Sequence, residues 1–330
     1  MARTQRRLGR RSVLAGLAVP AFAQAQLTDK PLRILLPFAP GGSTDIVTRI
    51  LQDPLRQALG QTVIVENRPG ANGQIAMEAV LRSRPDGTTA MLGNITTNGT
   101  APLNAAATLG FDYERDMLAV TRVADVPGVM VATAAQGFPV RSMAELLAYA
   151  RAHPGKLNYL STGPGSIGHV DMVLLKRLAR IDVVHVPVSG GAGPSIQALI
   201  AGDVHFGLLN IATGMPLLQA GQLRPLAVTG EARLESLPEV PTMTEAGFGA
   251  RGTSSWHVFM VASAVPAATV ALLHRAMLSA IGSEPAQAAF RRQNIIPTPS
   301  PSPEAAQAWL HGELALLRRL LRETAEERVE

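Results

Sequence analysis

Leu32-Arg33-Ile34-Leu35-Leu36-Pro37-Phe38-Ala39-Pro40-Gly41-Gly42-Ser43-Thr44-Asp45 is the unit from which the rest of the chain can be read. Leu32–Leu36 is a short apolar run, the pattern of a strand buried on both faces. Residues 44–59 repeat apolar side chains at helical spacing, with Ile46, Ile50, Leu51 and Leu55 expected on one core-facing stripe. Between them a Pro- and Gly-rich turn ends in Ser43, Thr44 and Asp45, residue types that start helices. Strand, turn and helix in that order make the first half of a βαβ unit.

The same rhythm spreads outward. Strands are expected at 62–65, 88–92, 157–160, 183–186, 205–209 and 226–228. Helices are expected at 75–82, 142–152, 167–178, 194–201 and around 215–220. Such alternation predicts an α/β protein of parallel sheets with helices on both faces. After a strand near 257–262 the pattern changes to three helices at 267–281, 285–293 and 303–323. The last carries Leu310, Leu314, Leu317, Leu320 and Leu321 on a core-facing stripe, and the Pro-rich run 297–303 precedes it. Strands near 119–124 and 254–261 suggest that the chain crosses twice between two lobes. The first lobe is then 27–124 plus 252–330, and the second is the insert 125–251.

The first residues bear on compartment. Arg3, Arg6, Arg7, Arg10 and Arg11 precede a short apolar stretch and the small-residue patterns Ala21-Phe22-Ala23 and Ala23-Gln24-Ala25. That order is a secretory signal, expected over 1–25, and the Arg10-Arg11 pair leaves twin-Arg export open beside the ordinary route. The whole chain has 30 Lys+Arg against 25 Asp+Glu, and five of the arginines but none of the acids lie in residues 1–26. The remainder therefore carries 25 of each sign. A balanced chain with only 4% aromatics has no basic stripe for nucleic acid. Cysteine is absent, so burial of a core must hold the fold without disulfides, and no thiolate metal site is expected.

Four loops sit between an expected strand and an expected helix: 37–45, 93–99, 161–169 and 188–194. A helix start leaves backbone N–H groups unpaired at the positive end of the helix dipole. Glycine allows close backbone approach and Ser or Thr adds hydroxyls, so each loop suits an anion. Any one of them also reads as an ordinary capped turn; four together favour anion capture at the carboxyl ends of the strands.

Gly163-x-Gly165-x-x-Gly168 matches the dinucleotide fingerprint, but the next strand ends in Pro187 and Val188 where an acid for the ribose is wanted. Asp182 lies at the wrong end of that strand, so a dinucleotide-binding enzyme is the lesser alternative. Ser166 lacks a nucleophile elbow because Pro164 fills the first glycine position. The histidines form no H-x-x-x-H pair, so neither metal nor cofactor is expected. His185 and His205 read as hydrogen-bonded core residues, whereas His169, at a helix start, could donate to a carboxylate. Asp45 reads as a helix-start cap, with contact to a ligand amine or a bridging water as the other option.

Leu36 through Glu78, including Pro-Phe-Ala-Pro-Gly-Gly-Ser-Thr-Asp and Val65-Glu66-Asn67-Arg68-Pro69-Gly70-Ala71-Asn72-Gly73, resembles the tripartite tricarboxylate transporter substrate-binding family, also called Bug-type receptors. Further matches are Pro154-Gly155-Lys156-Leu157-Asn158-Tyr159, His185-Val186-Pro187, Gly221 through Thr229 and Leu237 through Thr242. The resemblance implies a two-lobed periplasmic-binding-protein (Venus-flytrap) fold. It implies a non-enzymatic, exported receptor, monomeric and periplasmic, that captures a small carboxylate and passes it to integral membrane permease subunits. A carboxylate sensor is the alternative partner arrangement. Carried over by position, Phe38, Ala39, Gly42, Ser43, Asp45 and Thr97 would line the first lobe. Ser161, Thr162, Gly165, Ser166, His169, Gly191 and Asn210 would line the second. Val188, Ser189, Leu209 and Asn98 depart from the family's usual residues, which implies a less polar cleft wall and a ligand less polar than citrate at its distal end.

Overall fold

A buried strand such as Leu32–Leu36 must pair its backbone on both edges, and the partners it finds organise the first of two sheets. The computed structural model describes residues 30–188, 190–230, 232–248 and 255–325. The expected signal segment, Ser189 and the second crossing near 252 lie outside the described residues.

In chain order the elements are β1 (Leu32–Leu36), α1 (Ser43–Leu59), β2 (Val63–Asn67), α2 (Gln74–Leu81), β3 (Thr89–Asn94), α3 (Ala101–Asn104), α4 (Tyr113–Asp116), β4 (Met117–Val126) and β5 (Gly128–Thr133). There follow α5 (Met143–Ala152), β6 (Asn158–Ser161), α6 (Ile167–Ala179), β7 (Val184–Pro187), α7 (Ala192–Ala201), β8 (Phe206–Asn210), α8 (Ile211–Gln219) and β9 (Leu223–Val228). The chain closes with β10 (Ser255–Ala262), α9 (Ala267–Gly282), α10 (Glu284–Arg292), β11 (Ile296–Pro297) and α11 (Pro303–Ala325). A π-helical turn at Thr96–Thr100 joins β3 to α3, where the sequence reading placed an open loop.

The first sheet has the order β11-β4-β10-β3-β1-β2 and the second β7-β6-β8-β5-β9. The expectation of parallel sheets needs correction: both are mixed. β2, β1 and β3 are parallel, but β10, β4 and β11 add antiparallel pairings. In the second sheet β7, β6 and β8 are parallel, and β5 runs antiparallel to β8 and β9. The exceptions are the strands at the crossing. The chain leaves the first sheet along β4, passes Pro127 and enters the second along β5. No crossover helix intervenes to return the strand in parallel.

β1 is buried on both faces because β3 and β2 flank it and helices cover it; Leu32, Ile34, Leu35 and Leu36 are all in the core. Its one polar residue, Arg33, reaches Glu66 of β2 through a two-pronged ion pair at 2.6 and 2.9 Å. β10 is buried along its whole length, as befits a central strand between β3 and β4. A fully buried Phe such as Phe259 there, or Phe206 in the second lobe, stabilises the fold by roughly 1.5–3 kcal/mol. The stripe expected on α1 is also corrected. Ser43, Thr44, Asp45, Val47, Thr48, Leu51, Leu55 and Leu59 are buried, and Ile46 and Ile50 are half-buried but still packed against the core. Thr48 is accommodated inside because its hydroxyl donates to the Thr44 carbonyl at 2.7 Å, a satisfaction that a purely apolar pattern does not register. α11 buries Leu310, Leu314, Leu317 and Leu320 and packs against β4 as well as α6 of the second lobe.

Candidate binding cleft between the lobes

The turns that follow the parallel strands β1, β3, β6, β7 and β8 meet in one cavity at the carboxyl ends of the sheets. Its volume is about 110 Å³, and its wall comes from both sheets. Phe38, Gly42, Ser43, Thr44, Asn94, Thr96 and Ser255 come from the first lobe's strands and helix starts. Leu160, Ser161, Thr162, Ile167, Gly191, Ala192, Ser195, Leu208, Leu209, Asn210 and Thr213 come from the second.

The β1–α1 turn is held from behind. Asp45 Oδ2 accepts the Gly41 N–H at 3.1 Å and Arg49 Nε at 2.9 Å, while Oδ1 accepts Asn67 Nδ2 at 3.3 Å. Asn67 Nδ2 also donates to the Phe38 carbonyl at 2.9 Å. Burial pushes the Asp45 carboxyl upward, but its bonds to Arg49, Gly41 and Asn67 and the Arg49 charge outweigh burial and hold it below the ordinary value. Asp45 is thus spent on the turn. Gly42, with φ −80° and ψ 170°, begins α1 with no side-chain cap on the helix's first N–H groups.

At the end of β3, Asn94 Oδ1 accepts the N–H groups of Thr96 and Thr97 at 3.1 and 3.2 Å. Thr97 is wholly buried and its Oγ1 accepts the Asn94 N–H at 3.0 Å, so Thr96, not Thr97, faces the cavity. At the end of β6, Ser161 Oγ accepts the Gly163 N–H at 3.1 Å and lies 2.7 Å from His185 Nε2. Burial, then the Lys176 charge, lowers the His185 pKa. Ser166 caps α6 by accepting the His169 N–H at 3.3 Å, and His169 Nδ1 accepts the Gly165 N–H at 3.3 Å.

Two further helices open on the cavity. Gly191 starts α7 at φ 94°, a conformation natural to glycine, and supplies no cap. Asn210 starts α8, yet its carboxamide does not cap; Nδ2 crosses the cleft to Ser43 Oγ at 2.7 Å. The lobes also meet where Asn104 Nδ2 donates to the Gly165 carbonyl at 3.0 Å and the Ile167 N–H to Thr96 Oγ1 at 3.4 Å.

The cavity thus receives the starts of α1, α7 and α8, none with a side-chain cap, and the capped start of α6; the first α8 N–H, that of Ile211, donates to the Pro127 carbonyl at 2.8 Å. Among the described residues of its wall there is no Asp, Glu, Lys, Arg or His. The field there comes from helix ends and hydroxyl or amide dipoles, positive on balance. Phe38, Leu160, Ile167, Leu208 and Leu209 supply the apolar part.

Of the residues singled out from sequence, Phe38, Gly42, Ser43, Ser161, Thr162, Gly191 and Asn210 come together on this wall. Ala39, Asp45, Thr97, Gly165, Ser166 and His169 stand behind or beside it, serving the turns that shape it. Of the departures from the usual family residues, Leu209 is on the wall, whereas Val188 and Asn98 are not. Thr44, Asn94 and Thr96 lie in the loops singled out from sequence but were not named as site residues, and Ser195, Thr213 and Ser255 lie outside all four loops. Sequence reasoning also missed His257, fully buried behind Ser43 with Nε2 3.3 Å from Ser43 Oγ. Nothing in the sequence links His257 to Ser43.

Known proteins resemble this chain in sequence and fold. A family model described as "Tripartite tricarboxylate transporter family receptor" matches residues 47–320. Protein BugT of Bordetella pertussis is 29% identical over 310 residues, covering 94% of both chains. A solved Rhodopseudomonas palustris protein with adipate is 31% identical with a TM-score of 0.82, covering 89% of this chain and 97% of its own. MatC from the same organism, with bound malate, is 27% identical with a TM-score of 0.79, covering 88% and 98% respectively.

Proposed function

The chain belongs to the tripartite tricarboxylate transporter receptor family, and from that membership we propose that it is an exported receptor, not an enzyme, that closes two lobes over a small carboxylate. The observation that carries this reading is the convergence of the α1, α7 and α8 starts, none with a side-chain cap, on a cavity whose described wall is uncharged. A carboxylate placed there accepts charge-assisted bonds from backbone N–H groups, each contributing about 1.5–3 kcal/mol. A cation would meet the wrong end of each helix dipole. The adipate and malate found in the two Rhodopseudomonas palustris relatives support an acid ligand.

Leu160, Leu208 and Leu209 make part of the second lobe's wall apolar. The acid's distal end is therefore less polar than that of citrate. The dinucleotide alternative is disfavoured by geometry. Asn104 of the first lobe packs on Gly165, where a Cβ would meet its Nδ2 at 2.4 Å, and Ser166 already caps α6. The glycine face and helix start that a pyrophosphate would need are both in use.

The lobes we assign are 27–124 with 252–330 and 125–251; the first sheet keeps β4 to Val126, so its strands end two residues beyond that first boundary. Export by the segment 1–25 would place the mature protein in the periplasm, where it would deliver its ligand to membrane permease subunits. Thermal-shift screening of the protein from residue 27 onward against organic acids tests the reading. A specific carboxylate should raise the melting midpoint once its concentration exceeds its Kd. Tight citrate binding with no affinity for any monocarboxylate would refute the apolar distal wall.

A further inference from the structure

Gly42 and Ser43, adjacent residues where α1 begins, are the point at which two other helix starts of the cleft gather. A Cβ on Gly42 would lie 4.0 Å from the Cβ of Ala192, the first residue of α7. Ser43 Oγ is 2.7 Å from Nδ2 of Asn210, the residue on which α8 opens. Phe38 closes the same corner, since a Cβ on Gly191 would meet its Cβ and Cδ1 at 3.8 Å. We infer that the cleft holds one carboxylate cradle, at this corner, and so selects monocarboxylates over dicarboxylates. This rests on the carboxylate reading above and narrows the ligand class within it.

The fourth helix start, that of α6, is already engaged. Ser166 Oγ accepts the His169 N–H at 3.3 Å, and the Ile167 N–H crosses the cleft to Thr96 Oγ1 at 3.4 Å, so two of the helix's first three N–H groups are in use. The loop before it is spent on itself. The Gly163 N–H donates to Ser161 Oγ at 3.1 Å, the Gly165 N–H to His169 Nδ1 at 3.3 Å, and the Ser166 N–H to the Gly163 carbonyl at 3.1 Å. By contrast, α1 and α7 begin without a side-chain cap.

The rest of the wall offers little to a second anion. Ser195 Oγ donates to the Gly191 carbonyl at 3.0 Å and Thr213 Oγ1 to the Asn210 carbonyl at 2.9 Å, so both protons are turned onto the backbone. Among the described residues of the wall there is no cation, and Leu160, Ile167, Leu208 and Leu209 add apolar surface. A second carboxylate enclosed there gives up its hydration without meeting a counter-charge. A methyl end gives up nothing and is stabilised by apolar contact.

Calorimetric titration of the protein from residue 27 onward with acids matched in length tests this: butanoate against succinate, hexanoate against adipate, and 4-methylbenzoate against terephthalate. At neutral pH the monocarboxylate of any pair that binds should be tighter by at least about tenfold, because its partner buries an uncompensated charge. As pH falls from about 7.5 to 5.5, the dicarboxylate should gain on its partner, since protonation makes its second end neutral. Thr96→Ala frees the Ile167 N–H for a second carboxylate and should narrow the ratio by about fivefold, the worth of one hydrogen bond. Should that variant fail to fold, the pH series on the unaltered protein decides. Dicarboxylates as tight as their partners at neutral pH, no relative gain as pH falls, or a ratio unmoved in folded Thr96→Ala would overturn the single cradle while leaving the carboxylate receptor intact. Binding of none of the six acids would overturn the carboxylate reading, and this inference with it.

Discussion

Replacing Gly42 with valine adds three carbons at the point where α1 opens on the cleft, and the local geometry separates its effect on binding from its effect on folding. Gly42 has φ −80° and ψ 170°, which any L-residue adopts without strain. A Cβ there would lie 4.0 Å from Ala192 Cβ across the cleft, an ordinary contact. The two methyl groups beyond it extend a further ~1.5 Å, into Ala192 or into the cavity. There they would occupy the space beside the start of α1 that a carboxylate needs to reach its backbone N–H groups. Losing two charge-assisted bonds at about 1.5–3 kcal/mol each weakens binding by roughly 10²–10⁴-fold. The stability cost is about 1 kcal/mol or less, since valine is only a poorer first residue for the helix. Calorimetric titration with a bound acid, beside urea unfolding, measures both quantities on one sample. A Gly42→Val protein that keeps full affinity would show that α1 is not the cradle, and one that fails to fold would refute the stated geometry.

Gly191→Ala should behave differently from Gly42→Val: at φ 94° any side chain is strained by about 1–2 kcal/mol, so urea unfolding should show lost stability as well as lost affinity. Asp45→Asn should destabilise the protein by about 1–3 kcal/mol at neutral pH through the lost Arg49 pair. Because the folded Asp45 pKa is depressed, its contribution is complete above the ordinary value of 3.8 and is lost as pH falls through the lower folded value. Urea midpoints of Asp45→Asn should therefore lack that acid-side fall. His257 has the same sign: an unfolded ring takes a proton below 6.5 and the folded ring only near 4, so stability is lost as pH falls across that window. His257→Gln should flatten this stretch of the stability profile by roughly 3 kcal/mol. Asn104→Ala removes a bond between the lobes from the exposed Asn104 side chain to the Gly165 carbonyl and should weaken ligand binding by about two- to tenfold without changing stability by more than about 1 kcal/mol.

Much of this fold was legible in the sequence because strand and helix periods differ. Leu32–Leu36 read as a strand from composition alone, and the Leu stripe of α11 read as a buried face. What did not read was what depends on distant partners. β5 follows β4 after a single proline, so a strand-then-helix rhythm has no place for it, and the antiparallel pairings it introduces are invisible in local pattern. The buried face of α1 includes Thr44 and Thr48, polar residues that an apolar period omits. At the cleft, loops rich in Gly, Ser and Thr marked Gly42, Ser43 and Gly191 by their chemistry. The same chemistry also marked Ser166 and Thr97, whose hydroxyls turn inward to hold backbone N–H groups. Choosing between a hydroxyl that faces a ligand and one that caps a turn needs the direction of the side chain. His257 lies 214 residues from Ser43, and only the fold brings them together.

The most direct measurement is a crystal structure of the protein, from residue 27 onward, with an acid found by screening. A carboxylate receptor of this kind should hold the carboxylate oxygens within ~2.7–3.2 Å of backbone N–H groups at the starts of α1, α7 or α8, between the lobes. A carboxylate seated on an arginine or lysine side chain, or in a different cleft altogether, would contradict it.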